Sequence, residues 1–290
     1  MTLAESYARC ETLARTHYEN FPVARLIPRH LRPHVAAIYA FARTADDIAD
    51  EGYGLPDAQS IPARLEALRT MDEQCLAAHA GKPLAEDTAW IFLALGDTLR
   101  QFEIDPQLCL DLTSAFAQDV TKRRYANFDE VLDYCRRSAN PVGRLVLLLH
   151  GYKDAERFAM SDAICTALQL ANFWQDVAVD WKKDQRVYLP LDDLARFGAP
   201  VESIGSTEVT PALRECIKFN VERAQGLFDK GRPLPGKLSF PLSLEIRITW
   251  LGGAAILQKI REQNYDTVRA RPKIGKCDKL RLFLRAMFPL

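Results

Sequence analysis

Apolar residues recur every three or four positions along most of this chain, which is the spacing of one face of an α-helix. No stretch alternates apolar and polar residues in the manner of a half-buried β-strand. Proline, glycine and capping residues divide the helical pattern, with Ser60, Asp105, Asn127 and Thr210 expected at helix starts. The predicted helices span approximately residues 3–16, 33–50, 60–79, 85–102, 105–124, 127–140, 141–151, 154–183, 210–232 and 239–263.

The helical segments follow one another closely. The polar stretch 200–207 is too short to separate domains, and neither repeats nor low-complexity tracts occur. A chain of 290 residues can bury a large core, and its 48% apolar and 26% charged residues are ordinary globular values. The sequence therefore predicts one all-α domain over residues 1–290, with residues 264–290 as a basic tail at its periphery.

Charge and cysteine usage exclude several classes of protein. The 38 basic and 38 acidic residues balance, so a nucleic-acid partner gains no electrostatic support. The seven cysteines are scattered and never spaced CxxC, which favours buried thiols in a reducing cytosol over disulfides or zinc. Charged residues in positions 1–18 argue against a signal peptide, and no apolar run approaches the roughly 18 residues of a membrane span. We therefore expect a cytoplasmic protein.

One helical segment carries a row of oxygen-bearing side chains among apolar residues. Asn172, Asp176 and Asp180 are spaced i, i+4 and i+8, so a continuous helix would place them on one face over about 12 Å. Carboxylates in apolar surroundings need a compensating cation or water. Mg²⁺ suits oxygen ligands and usually completes its shell with substrate phosphates.

A second acidic pair, Asp46 and Asp50, repeats the i, i+4 spacing at the end of another apolar helix. A single such pair is ordinarily a solvated helix end, whereas two of them favour a metal site. Mg²⁺ held by both rows would bind a diphosphate and neutralise the charge that develops as it leaves. Neighbouring aromatic side chains would then steady a carbocation, or simply pack in the core; they are Tyr39, Phe41, Phe173 and Trp174.

The common nucleotide and hydrolase fingerprints are absent. The chain contains no GxGxxG, P-loop, GxSxG or HExxH motif, so these observations support neither a Rossmann dinucleotide site nor a zincin.

The two motifs together resemble the squalene/phytoene synthases. Residues 46–50 look like the first aspartate-rich motif of that family, and residues 169–180, continuing into 186–190, look like the second. The resemblance implies an isoprenoid synthase fold, an all-α helical bundle around a central apolar cavity. It implies four catalytic carboxylates that also bind Mg²⁺, namely Asp46, Asp50, Asp176 and Asp180. Asn172 is implied as a further Mg²⁺ ligand. It implies contacts to the substrate from Arg43, Asp47, Arg137, Gln169, Asn172, Tyr188 and Arg271.

Departures from the family pattern narrow the choice of subgroup within the family. Positions 17–21 read His-Tyr-Glu-Asn-Phe where the family usually has His-Ser-Lys-Ser-Phe, so two expected diphosphate contacts are missing. Arg137 stands where squalene synthases have a tyrosine, Val179 replaces a carboxylate, and Gln175 replaces a frequent arginine. These features resemble one subgroup, the hydroxysqualene synthases of bacterial hopanoid synthesis, which convert presqualene diphosphate and water to hydroxysqualene and diphosphate.

The subgroup resemblance implies several Mg²⁺ ions, no use of NADPH, and a water that Ser138, Asn140 or Gln175 could hold. It also implies supply by a presqualene diphosphate synthase and hand-off to a squalene-forming oxidoreductase. Two alternatives stay open: a squalene or presqualene diphosphate synthase acting on farnesyl diphosphate, and a non-catalytic prenyl-binding relative. Residues 279–285 have an apolar and a basic side, so this segment either packs on the domain or contacts the inner face of the membrane.

Overall fold

The computed structural model describes residues 1–18, 26–50, 57–82, 84, 88–288 and 290. Across these residues the chain forms α-helices and no β-strand, and one isolated bridge pairs Arg124 with Val187. The helices are α1 (Leu3–Tyr18), α2 (Arg32–Asp50), α3 (Asp57–His79), α4 (Ala89–Gln101), α5 (Gln107–Thr121), α6 (Phe128–Ser138), α7 (Asn140–Leu149), α8 (Ala155–Gln175), α9 (Val177–Asp184), α10 (Leu191–Arg196), α11 (Pro211–Gly231), α12 (Leu242–Glu262) and α13 (Lys276–Ala286). Short 3₁₀ helices cover Val201–Gly205 and Leu234–Lys237. The all-α prediction is confirmed.

The helices gather into two compact units, one comprising residues 1–121 and 141–153 and the other residues 122–140 and 154–290. The first unit packs α2 to α5 around a core that includes Phe41, Phe92 and Leu145. Gly96 on α4 permits close approach to α3, because a Cβ there would lie 2.6 Å from the carbonyl oxygen of Ala78. Asp46 and Asp50 are carried by α2 of this unit.

The second unit is built on α8, which packs against α6, α11 and α12. Gly253 allows the close approach of α12, because a Cβ there would lie 2.5 Å from a methyl carbon of Leu168 on α8. The end of α8 and all of α9 carry the second acidic motif. The segment between α12 and α13 carries Arg271.

Three predicted helix caps are confirmed. The Asp105 side chain accepts a hydrogen bond from the backbone amide of Gln107 at 2.9 Å. Asn127 accepts one from the backbone amide of Glu130 at 3.0 Å, and Thr210 accepts one from that of Leu213 at 3.2 Å. The prediction for Ser60 is wrong, because α3 begins earlier, at Asp57, and Ser60 is buried inside it. Capping propensity could not reveal that Ser60 lies on the buried face of a longer helix.

The single helix predicted over 154–183 is also wrong. Asp176 has φ −105° and ψ 12°, outside the helical range, so it ends α8 and begins α9. Backbone hydrogen bonds of 2.9 Å from Asp176 to Asn172 and from Asp180 to Asp176 preserve the four-residue spacing across the break. The row is therefore retained, but it bends at its central carboxylate.

The structure adds helices that periodicity did not predict, namely α10, the 3₁₀ helix Val201–Gly205 and α13. In the part of the chain that the structure describes, every helix is too short or too polar to cross a membrane.

Candidate active site

The carboxylate of Asp176 binds the side chains of two other predicted site residues. The side-chain amide of Asn172 donates to Asp176 Oδ2 at 3.0 Å, from one turn earlier on α8. Arg271 reaches the same carboxylate from the segment after α12, with Nη2 3.0 Å from Oδ2 and Nε bonded to Oδ1. The Asp176 side chain is only 13% exposed. The structure thus brings Arg271, which was predicted separately, to the row that carries Asn172 and Asp176.

Gln175 positions Arg271, a role that the sequence did not reveal. Its side chain is buried, and its Nε2 donates to the carbonyl oxygen of Pro272 at 2.5 Å. Because Pro272 follows Arg271 directly, this hydrogen bond anchors the backbone that presents the arginine. The side-chain Nε2 of Gln175, one of the residues expected to hold a water, is therefore already bonded within the protein.

Asp180 lies one turn beyond Asp176 and is largely buried. Burial, with a smaller contribution from the charge of Asp176, raises the pKa of Asp180 to about 7. Arg186 and Lys183 oppose this shift without cancelling it. Negative charge at Asp180 is therefore incompletely compensated by the protein, and a bound cation would relieve it.

Aromatic rings pack directly beside this motif. Phe173 and Tyr188 stack with ring centroids 3.5 Å apart and planes 9° apart, and Tyr134 lies 5.8 Å from Phe173. Arg186 Nη1 donates to the Tyr188 hydroxyl at 3.2 Å, which fixes the ring's polar end. Trp174 and Phe41 are completely buried within their own units, so core packing describes them.

The first motif is arranged around Arg43. Its Nη2 lies 2.5 Å from Asp47 Oδ1 and its Nη1 lies 3.4 Å from Asp46 Oδ2, all on α2. The three side chains are between 37% and 44% exposed, so these ion pairs are screened by water and readily exchanged. Asp50, one turn after Asp46, is the exposed last residue of α2.

Two further predicted contacts lie on α6 and α8. Arg137 pairs with Asp133 of its own helix at 2.9 Å, and its side chain is 13% exposed. Gln169 is half-buried on α8, two turns before Asp176. The structure brings neither into contact with Asp176. Of the departures at positions 18–20, those at 19 and 20 lie outside the described residues.

The candidates for holding a water differ in their hydrogen bonding. Asn140 is buried and its Oδ1 accepts a hydrogen bond from Thr166 Oγ1 at 2.9 Å. The Ser138 hydroxyl is buried and has no hydrogen-bond partner among the described residues. Because Ser138 follows Tyr134 by one turn of α6, it shares the face that reaches the aromatic rings. Of these two side chains, Ser138 is the one whose oxygen has no hydrogen-bond partner among the described residues.

The donor set fits Mg²⁺ that shares its ligands with a substrate. Within the described ranges, no three acidic, histidine or cysteine side chains gather into a ready-made metal site. Mg²⁺ seldom uses such a cage, since one or two carboxylates with phosphate oxygens and water suffice. Asn172, Asp176 and Asp180 supply only oxygen or amide groups, and Asp180 carries undercompensated charge.

Comparison with known proteins places the chain in a family. The family model described as squalene/phytoene synthase matches residues 13–278. The chain belongs to the squalene/phytoene synthase family. Members of this family are enzymes that use prenyl diphosphates, generally with Mg²⁺.

Two squalene/phytoene synthase relatives carry a more specific name. A hydroxysqualene synthase from Rhodopseudomonas palustris is 40% identical over 81% of this chain and 77% of the relative. One from Sinorhizobium fredii is 38% identical over 90% of this chain and 85% of the relative. These matches confirm the family resemblance that the two motifs suggested.

Solved structures confirm the fold. Squalene synthase HpnC from Alicyclobacillus acidocaldarius superimposes with a TM-score of 0.82 at 40% identity, covering 91% of this chain and 95% of that one. A dehydrosqualene synthase solved with a ligand has a TM-score of 0.79 at 21% identity, which shows the shared fold alone. The predicted isoprenoid synthase fold is therefore confirmed.

Proposed function

We propose that this protein is a hydroxysqualene synthase, converting presqualene diphosphate and water to hydroxysqualene and diphosphate in hopanoid and squalene biosynthesis. The observation that carries the proposal is the similarity to relatives named hydroxysqualene synthase, at 36–40% identity over 81–91% of this chain. Retention of Asp46, Asp50, Asp176 and Asp180 supports a catalytic protein over a non-catalytic prenyl-binding relative. We take residues 1–290 as one all-α catalytic domain.

The proposed metal ligands are Asp46 and Asp50 of the first unit and Asn172, Asp176 and Asp180 of the second. Bound Mg²⁺ ions would neutralise the diphosphate and favour its departure. Arg271 would also bind the substrate. When a metal binds the oxygens of Asp176, the guanidinium of Arg271 becomes free to bind a diphosphate oxygen. Arg43 can make the same exchange from Asp46 and Asp47, and we assign further substrate contacts to Arg137, Gln169 and Tyr188.

The proposed reaction balances without a redox partner. The bond between the carbinyl carbon and the diphosphate oxygen breaks, and the electron pair leaves with diphosphate. The resulting cyclopropylcarbinyl cation opens to an allylic cation. Water then forms the new carbon–oxygen bond, and its proton passes to the released diphosphate. NADPH has no part in this sequence.

Ser138 is our candidate for holding the water. Its hydroxyl is buried, unpartnered among the described residues, and on the same face of α6 as Tyr134. A hydroxyl can both donate to and accept from a water molecule, so it can orient the water oxygen toward the cation.

A second candidate function is the synthesis of squalene from farnesyl diphosphate. The observation that favours it is the name of the similar solved structure, squalene synthase HpnC. That reaction must hold two prenyl diphosphates, whereas the chain has tyrosine and glutamate where the family usually has serine and lysine at positions 18 and 19. Missing diphosphate contacts favour one productive diphosphate per turnover.

Incubation with each substrate separates the two functions. The purified protein with Mg²⁺ would be given presqualene diphosphate or farnesyl diphosphate in ¹⁸O-labelled water, with and without NADPH, and the lipids identified by mass spectrometry. We expect labelled hydroxysqualene from presqualene diphosphate whether or not NADPH is present, and no condensation of farnesyl diphosphate. Squalene as the main product with NADPH, or presqualene diphosphate formed from farnesyl diphosphate at a comparable rate, would refute the proposal.

The proposed reaction also requires an enzyme that supplies its substrate and one that consumes its product. A presqualene diphosphate synthase must supply the substrate, and an oxidoreductase must remove the hydroxyl group to give squalene. We place the protein in the cytoplasm, where the scattered cysteines stay reduced; within the described residues all seven are free thiols.

A further inference from the structure

The C-terminal helix α13 presents an apolar stripe to solvent. Leu280, Phe283, Leu284 and Met287 are spaced i, i+3, i+4 and i+7, which aligns them on one side of the helix. These side chains, together with Phe288 just beyond the helix, are 49–66% exposed. Single exposed apolar residues are normal on a protein surface, but five in one continuous stripe mark an interaction site.

The opposite side of α13 is fastened to α12. Asp278 Oδ2 lies 2.9 Å from Lys259 Nζ, and Arg247 Nη1 donates to the carbonyl oxygen of Ala286 at 2.9 Å. Ala286 is fully buried and Leu282 is half-buried. The two helices are thus antiparallel and attached at both ends of α13, which holds the stripe facing outward. The expected packing of the tail accounts for only one side of this helix.

Basic residues border the stripe on both sides. At 100° per residue, Lys279 falls on one side of it and Arg281 and Arg285 fall on the other. These three side chains and Lys276 are exposed, whereas Asp278, the one acidic residue of α13, is paired with Lys259 on the packed side. The outward face is therefore apolar along its centre and positively charged along its edges.

We propose that this face of α13 binds the surface of a lipid bilayer that carries anionic head groups. The apolar stripe enters the boundary between head groups and acyl chains, and the basic side chains contact the phosphates. Phe240, which is 77% exposed beside the start of α12, lies at the same end of the antiparallel pair as Met287 and Phe288.

The charges favour a bilayer over a second copy of the chain. Two copies paired through this stripe would bring their lysine and arginine rows together, and like charges repel. An anionic surface neutralises those rows while it buries the same apolar side chains. The docking site does not depend on the proposed function, since vesicle binding is measured without turnover.

The test is sedimentation of the full-length protein with lipid vesicles. Vesicles of phosphatidylcholine alone are compared with vesicles that also contain phosphatidylglycerol, at low and high salt. We expect binding to the anionic vesicles only, weakening as salt screens the charges. Replacing Lys279 and Arg281 by glutamine should weaken binding about fivefold for each residue.

The variant Phe283→Gln/Leu284→Gln/Met287→Gln should reduce anionic-vesicle binding by about tenfold or more, because it removes most of the apolar stripe. All three side chains are exposed, so the helical content and the melting temperature should not change. Leu76→Gln is the matched control, since Leu76 is an exposed leucine on α3 of the other unit. It should bind as the original protein does.

Three results of the vesicle assay would overturn the proposal. They are absence of binding to anionic vesicles, equal binding to neutral ones, and full binding by the triple glutamine variant. A dimer that the triple variant dissociates would identify a second copy as the occupant and would also overturn it.

Discussion

Arg271 binds Asp176 through two of its nitrogens, although 95 positions separate the two residues along the chain. The central carboxylate of the second motif is therefore already paired with a cation that belongs to the protein. In the function that we propose, a metal or a diphosphate would have to displace or share this contact, so ligand binding in this unit would be an exchange of partners. The same holds for Arg43 with Asp46 and Asp47, in a more exposed setting.

The first prediction separates activity from stability at the two acidic motifs. Asp50→Asn and Asp176→Asn should each lower turnover by orders of magnitude, because each removes a proposed Mg²⁺ ligand. Asp176→Asn also breaks the ion pair with Arg271 and should lower the free energy of unfolding by about 1–2 kcal/mol. Asp50→Asn should leave it unchanged or slightly raise it, since an aspartate at a helix C-terminus opposes the helix dipole.

Turnover and thermal unfolding, measured on the same preparations, check this prediction. Near-normal turnover by the double variant Asp50→Asn/Asp176→Asn would contradict the assignment of both residues as metal ligands.

The second prediction concerns Gln175 as the residue that positions Arg271. Gln175→Met keeps the volume of the side chain but leaves the Pro272 carbonyl without its donor, which should cost about 1–2 kcal/mol of stability. If the anchor positions Arg271, the variant should also bind inorganic diphosphate with Mg²⁺ several-fold more weakly.

Gln258→Met is the control, because Gln258 is exposed and its amide donates to Glu262 of the same helix, α12. Isothermal titration with diphosphate gives the readout. Unchanged diphosphate affinity in Gln175→Met would reduce Gln175 to a purely structural role.

The third prediction is a pH dependence from Asp180, whose pKa is raised from its ordinary 3.8 to about 7. A carboxyl with a raised pKa in the folded state stabilises that state when protonated, so its contribution is complete below about pH 4 and is lost as pH rises through 7. In Asp180→Asn the side chain does not titrate, so the folded state no longer loses this stability as pH rises. Without metal, the variant should be more stable than the original protein by about 2 kcal/mol at pH 8, roughly half the full linkage value because the group is partly exposed.

Thermal melts across this pH range, with EDTA and then with Mg²⁺, provide the measurement. Mg²⁺ should raise the melting temperature of the original protein at pH 8 and affect Asp180→Asn less. Identical pH profiles for the two proteins would show that Asp180 does not titrate in this range.

The fourth prediction concerns the fate of the cation. Ser138→Ala should lower the yield of hydroxysqualene relative to products of proton loss, because the proposed water loses its hydrogen-bond partner. Ser60→Ala is a matched control, since its hydroxyl is also buried without a partner among the described residues, on α3. Product analysis by gas chromatography is the check. An unchanged product ratio in Ser138→Ala would assign the water to another residue.

Structural features that depend on residues close together in the chain could be predicted from the sequence. Helix periodicity predicted most of the helices, and side chains that accept hydrogen bonds predicted the starts at Asp105, Asn127 and Thr210. The four-residue spacing of Asn172, Asp176 and Asp180 predicted a shared face, because spacing within one helix depends only on neighbouring residues. Motifs of this kind also sufficed to suggest the family.

The tertiary structure decided what depends on residues far apart in the sequence. Periodicity cannot show that Arg271 returns to Asp176, that Gln175 bonds to Pro272, or that the long helix breaks at Asp176, since these features follow from the path of the chain after α12. The pKa of Asp180 likewise depends on burial by neighbouring elements. The sequence by itself determined the helices and their chemical groups, whereas tertiary packing decided which groups are paired, buried or left facing solvent, as the stripe on α13 is.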